Sequence, residues 1–114
     1  QPYPNRLPYA VSKMGLIGVT RTLSRELGRD DVTVNTVLPG PVEGDRIEDV
    51  IAKQERLADV DDAEPFRIGP DDFALPDYTA SKEEVVEQVA FLAGPNARRI
   101  TGQEIGVDGG ATWY

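Results

Sequence analysis

The sequence predicts an α/β chain, part of a doubly wound parallel sheet, and two observations carry that reading. A long helical stretch is followed by a short β-branched run, Val32–Leu38, which empties into Pro39-Gly40-Pro41-Val42. A later helical stretch, after Ser81, is followed by a second short strand over Glu104–Asp108. Helix then strand, with the strand ending in a glycine-containing loop, is half of a parallel βαβ unit, whose ligands sit beyond the carboxyl ends of the strands. The Pro39–Val42 loop is therefore where a ligand is expected.

Each element has its own local cause. Pro2, Pro4 and Pro8 keep the first eight residues extended, and Pro8 places Tyr9 at a helix start. Leu16, Val19, Leu23 and Leu27 form one apolar row of that helix, and Ala10, Met14 and Ile17 form another. Its first half is thus apolar on two sides, and Gly15 and Gly18 would admit a close neighbour, a partner helix or a second subunit. Gly28 stands where a C-terminal glycine ends a helix.

Val32–Leu38 reads as a buried strand. Asp45–Ala58 reads as an amphipathic helix with Ile47, Val50, Ile51, Leu57 and Ala58 on one face. Asp59–Ala80, rich in proline and acids, should be mostly irregular, and a loop this long in a compact domain is usually a lid, a binding loop or disordered. Ser81 and Glu84 fit a capping box, opening a helix expected to bury Val85, Val86, Val89, Ala90 and Ala93 and to stop at Gly94-Pro95.

Three helices and two strands do not balance. Two parallel strands cannot cover three helices, since parallel pairs are normally central pieces of larger sheets. The 114 residues are expected to form a single partial domain, residues 1–114, with an open strand edge and an open helix flank.

Composition narrows the chemistry. With no cysteine and no histidine there is neither thiolate nor imidazole, so no metal site is expected and acid/base work falls to Tyr, Lys or carboxylates. Twenty acidic against 12 basic residues give a net charge of −8, which argues against nucleic acid as a partner. Abundant acid with scarce lysine also suits high salt, where self-repulsion is screened. No run of about eighteen apolar residues suggests a membrane span, and no leader is evident, so a cytoplasmic protein is expected.

The pair that carries chemistry is Tyr9 and Lys13. Residues four apart share a helix face, so a phenol and an ammonium can meet in one small volume. A cation about 4 Å away, at an effective dielectric of about 20, attracts the phenolate by about 4 kcal/mol. The pair alone is common on solvated helices. Three patterns in order, Tyr9-Ala10-Val11-Ser12-Lys13, Val32 to Val42, and Thr101 to Gly110, resemble the C-terminal part of the short-chain dehydrogenase/reductase family, classical type.

That resemblance implies a Rossmann-like fold and an NAD(P)-dependent oxidoreductase acting on a small alcohol or carbonyl substrate. Hydride would pass between substrate carbon and nicotinamide, with Tyr9 as general acid/base and as a cofactor-binding residue. Lys13 would bind the nicotinamide ribose hydroxyls and favour the ionised tyrosine. Pro39, Gly40, Pro41 and Val42 would line the nicotinamide, the Val42 amide meeting its carboxamide. Residues 44–80 would form the substrate-covering flap. Asn35, Asp108, Gly109 and Gly110 match positions that are chiefly structural in the family.

Two features depart from the pattern. Gly44 stands where relatives often carry a cofactor-touching threonine, and no serine precedes Tyr9 to match the family's catalytic serine. The chain also offers no glycine-rich strand–loop–helix for a pyrophosphate. The choice between NAD and NADP, decided near the ribose 2′ position, lies outside the 114 residues. The expected partners are therefore the remaining N-terminal half of the domain and further copies in a homo-oligomer, and the 114 residues alone are expected to be inactive. Two alternatives remain: a truncated, non-catalytic relative acting as a dimerisation or interaction module, and a relative using the same tyrosine for epimerisation or dehydration.

Overall fold

The computed structural model describes residues 7–44, 49, 52 and 70–111. The entry segment 1–6, nearly all of the helix expected over Asp45–Ala58, and the first half of the loop expected over Asp59–Ala80 lie outside the described residues. Four elements position the rest: helix α1 (Leu7–Leu27), strand β1 (Thr36–Pro39), helix α2 (Lys82–Ala93) and strand β2 (Glu104–Val107). The strands pair in parallel, with Thr36 opposite Glu104 and Pro39 opposite Val107.

Helix α1 begins two residues before Tyr9, with Pro8 in its first turn, where a backbone N–H is not needed. Its end differs from expectation. Gly28 does not take the left-handed conformation; it opens a 3₁₀ turn, Gly28–Asp30, and Asp31 takes that conformation instead at φ 60°. The Asp31 N–H donates to the Gly28 carbonyl at 3.1 Å, closing the turn, and aspartate is among the few residues that tolerate such a φ.

Strand β1 is shorter than the Val32–Leu38 run. The residues before it are held by side chains rather than by a ladder. The Val34 N–H donates to Thr101 Oγ1 at 3.0 Å, and the Gly102 N–H donates to the Val34 carbonyl at 2.7 Å. Asn35 Nδ2 donates to the Ile100 carbonyl at 2.8 Å, while its Oδ1 accepts the Gln103 N–H at 3.1 Å. The turn before β2 thus satisfies the backbone that precedes β1, which accounts for asparagine inside a β-branched run. Asp108 likewise leaves β2 to begin a turn.

Contacts along α1 fix its direction against the sheet. Leu27 accepts the Val32 N–H at the far end, Ser24 lies against Gly102, and Arg21 pairs with Glu104 at 2.6 Å. Thr20 and Thr36 share a hydroxyl–hydroxyl hydrogen bond. Moving back along α1 therefore moves forward along the strands, so α1 runs antiparallel to β1 and β2.

Helix α2 is opened by the expected capping box: Ser81 Oγ accepts the Glu84 N–H at 3.2 Å, and Glu84 Oε2 accepts the Ser81 N–H at 2.7 Å. Its apolar face is not buried as expected. Val86 is 64% exposed, Val89, Ala90 and Ala93 are exposed, and Val85 is half-buried. Among the described residues only Thr20, Ala80 and Ala97 are buried. Two strands of four residues present too little surface to cover two helices, and a helix needs a facing layer to bury its stripe. This is a partial α/β fold. No described helix is long and apolar enough to cross a membrane.

Candidate active site

Tyr9 and Lys13 stand in the first turns of α1, and the Lys13 Nζ lies over the Tyr9 ring, 5.5 Å from its centroid. Both side chains are exposed, Tyr9 to 51%. Between them, the Ser12 hydroxyl donates to the Tyr9 carbonyl at 2.7 Å. Ser12 is thereby committed to its own helix, a common arrangement for a helical serine. Phenol and ammonium form a pair, as one helical turn allows.

The loop after β1 is held on two sides. The Gly40 N–H donates to the Val107 carbonyl at 3.0 Å, and a Cβ on Gly40 would stand 2.7 Å from the Asp108 Cα. On the other side, the Ala80 N–H donates to the Pro41 carbonyl at 2.9 Å and the Glu43 N–H donates to the Ala80 carbonyl at 3.0 Å. These two bonds make an isolated parallel bridge of Val42 with Ala80, whose geometry turns the Val42 N–H the other way. That N–H makes no hydrogen bond among the described residues, and Pro41 has no N–H at all. Among the described residues the Val42 N–H is thus an outward backbone donor at the carboxyl end of the sheet.

Helix rise relates this loop to the pair. From Thr36 to Pro39 the strand climbs about 10 Å, and seven residues of helix from Thr20 back to Lys13 climb about 10 Å. Because α1 runs antiparallel to β1, the end of β1 stands about level with Lys13 along the helix axis. Beside the loop, a cleft of about 380 Å³ is lined by Tyr78, Ala80, Glu84, Val107, Asp108 and Gly109. The Ala74 and Leu75 N–H groups converge on the Gly109 carbonyl at 2.9 and 3.0 Å, and Phe73 stacks on Tyr78 with ring centroids 4.1 Å apart. Residues 70–80 are thus tied to the turn after β2.

The donors suit the nicotinamide half of a dinucleotide: an ammonium for hydroxyls and an outward amide N–H for a carboxamide oxygen. Among the described residues, no group of three or more His, Cys, Asp or Glu gathers as metal ligands would.

Comparison with known proteins gives this arrangement its kinship. The family model described as enoyl-(acyl carrier protein) reductase matches residues 1–112. The chain belongs to the short-chain dehydrogenase/reductase family. It is 39% identical over 107 residues to the 3-oxoacyl-[acyl-carrier-protein] reductase FabG of Rickettsia conorii, covering 94% of this chain and 39% of that protein. Against the FabG of Vibrio cholerae the identity is 36%, covering 90% of this chain and 37% of that protein. The chain therefore spans about two fifths of the length of these curated relatives.

Among solved structures, a short chain dehydrogenase family protein from Francisella tularensis superposes with a TM-score of 0.80 at 30% identity, covering 96% of this chain and 45% of that one. A 4-hydroxyisoleucine dehydrogenase complexed with NADH superposes with a TM-score of 0.76 at 25% identity, covering 98% and 42%. The relatives are oxidoreductases, and the neighbours share the Rossmann fold.

Lys82 was legible in the sequence only as part of a helix start. Its tip lies against Gly44, because the Val42–Ala80 bridge brings together segments far apart in the chain. No local pattern signals that bridge.

Proposed function

We propose that the full-length protein is an NAD(P)-dependent oxidoreductase of a small alcohol or carbonyl compound, and that these residues supply the proton-transfer half of its site. The observation that carries the reading is the Lys13 ammonium over the Tyr9 ring, and the ideal rise of helix and strand puts the loop with the unpaired Val42 N–H at about the same height. When bound, the nicotinamide cofactor supplies the hydride chemistry. Tyr9 passes the proton of the substrate oxygen, acting as acid in reduction and as base in oxidation. Lys13 holds positive charge beside the phenol and takes the nicotinamide ribose hydroxyls. Val42 donates its N–H to the carboxamide, and Pro39, Gly40 and Pro41 shape the wall, Gly40 because only a glycine fits against Asp108.

Residues 44–80 are assigned to a flap over the substrate, its stem fixed by the Ala74 and Leu75 bonds to Gly109. The remainder of the domain, contributed by an N-terminal half, supplies the pyrophosphate loop, and without it the 114 residues are inactive. Oxidation of NADH or NADPH by the full-length protein, followed with a panel of ketones and 3-oxoacyl thioesters, tests this. Turnover of at least one is expected, and no turnover with any carbonyl or alcohol in either direction overturns it.

A second reading is favoured by the exposed apolar faces. Leu7, Val11, Met14, Leu16 and Val19 of α1 all lie largely open, Met14 to 64%. A non-catalytic relative would use one of these faces to bind a further copy or a full-length subunit. A dinucleotide titration separates the two: binding supports the enzyme, and assembly without binding supports the module.

A further inference from the structure

The basic residues of the described structure sort by the two ends of the sheet. Arg21 pairs with Glu104 at the first residue of β2, Arg25 and Arg29 follow toward the end of α1, and Arg98 and Arg99 precede β2. All five described arginines stand at the amino ends of the strands. The two described lysines do not. By the ideal rise of helix and strand Lys13 stands about level with the end of β1, and Lys82 lies beside the loop that follows it.

Lys82 is placed by its neighbours rather than by chance. Ala80, 8% exposed, is bridged to Val42, and Ser81 is locked by the capping box, so the lysine backbone is fixed two residues from the ligand loop. Its side chain lies over Gly44, where a Cβ would stand 3.5 Å from both Lys82 Cε and Nζ. Gly44 has φ 132°, a conformation that side chains rarely adopt, so the loop there is bare backbone with an ammonium over it. Among the described residues no carboxylate pairs with Lys82, although Glu43 adjoins Gly44 and Glu83 follows the lysine itself.

We infer that Lys82 is a cofactor-binding residue whose ammonium, at the rim of the Pro39–Gly44 loop, contacts a phosphate of the nicotinamide nucleotide. The inference rests on the NAD(P) reading above. In a chain of net charge −8, an anionic ligand entering at the carboxyl end of the sheet meets repulsion unless a local cation offsets it. A lysine serves a phosphate as a point charge and needs no fixed geometry, which suits a side chain reaching across an open loop.

The test compares the full-length protein with Lys82→Met and Lys82→Arg by fluorescence titration, using reduced dinucleotide, reduced nicotinamide mononucleotide and the phosphate-free riboside. Lys82→Met should weaken both phosphate-bearing probes about tenfold and leave the riboside unchanged, with Lys82→Arg keeping most of the affinity. It should also flatten the salt dependence of dinucleotide binding. Equal affinities of the Met variant and the unchanged protein for the dinucleotide overturn the assignment, and so does an equal loss with the riboside. If the unchanged protein binds none of the probes, the NAD(P) reading itself falls, which is a distinct result.

Discussion

Gly40 and Asp108 meet backbone to backbone at the carboxyl end of the sheet, so closely that a Cβ on the glycine would lie 2.7 Å from the Asp108 Cα and 2.9 Å from its Cβ. The loop after β1 and the turn after β2 are therefore one packed unit. Asp108 holds its own side of it, its Oδ1 accepting the Gly110 N–H at 3.1 Å and its carbonyl accepting the Ala111 N–H at 3.2 Å.

Gly40→Ala must push these two segments apart. Overpacking of this kind costs about 1–3 kcal/mol. A lowered denaturant midpoint in the full-length protein is the expected outcome. A midpoint equal to that of the unchanged protein would show that the contact gives way freely.

Asn35 is the clasp between the approaches to the two strands, donating to the Ile100 carbonyl and accepting from the Gln103 N–H. Asn35→Ala leaves both groups without that partner and should cost about 1–3 kcal/mol. Amide hydrogen exchange gives a local check: protection at Gln103 should fall more than protection in α2.

Ser81→Ala removes the cap that satisfies the Glu84 N–H and should cost about 1 kcal/mol. Arg21→Ala removes an ion pair whose arginine is largely exposed, and its effect should stay within about 1 kcal/mol and shrink with added salt. Thermal melts of both variants at two salt concentrations separate the two cases, since only the Arg21 effect depends on salt.

What was legible in the sequence was what short-range chemistry decides. Ser81 and Glu84 announce their helix three residues apart, and the β-branched run announces a strand. Pro8 beside Tyr9 announces a helix start, which the structure moves back to Leu7. The misreadings came from distance. Val34 and Asn35 looked like strand, but Thr101 and Ile100 take their hydrogen bonds, and nothing within the run signals that. Gly28 looked like the cap, yet Asp31 assumes the left-handed turn.

Burial, too, depends on distant segments. A helix stripe such as Val85, Val86 and Val89 predicts that something will cover it, not that this chain contains the cover. At the candidate site, Tyr9 and Lys13 could be paired from spacing alone. The free Val42 N–H and the reach of Lys82 over Gly44 depend on the bridge to Ala80, a contact between distant segments.

The central claim is that Tyr9 passes a proton beside the Lys13 ammonium, and Tyr9→Phe in the full-length protein tests it most directly. Turnover of the carbonyl substrate should fall by about 10²–10⁴, while the thermal midpoint stays unchanged. A phenylalanine variant that turns over as fast as the unchanged protein would contradict the account.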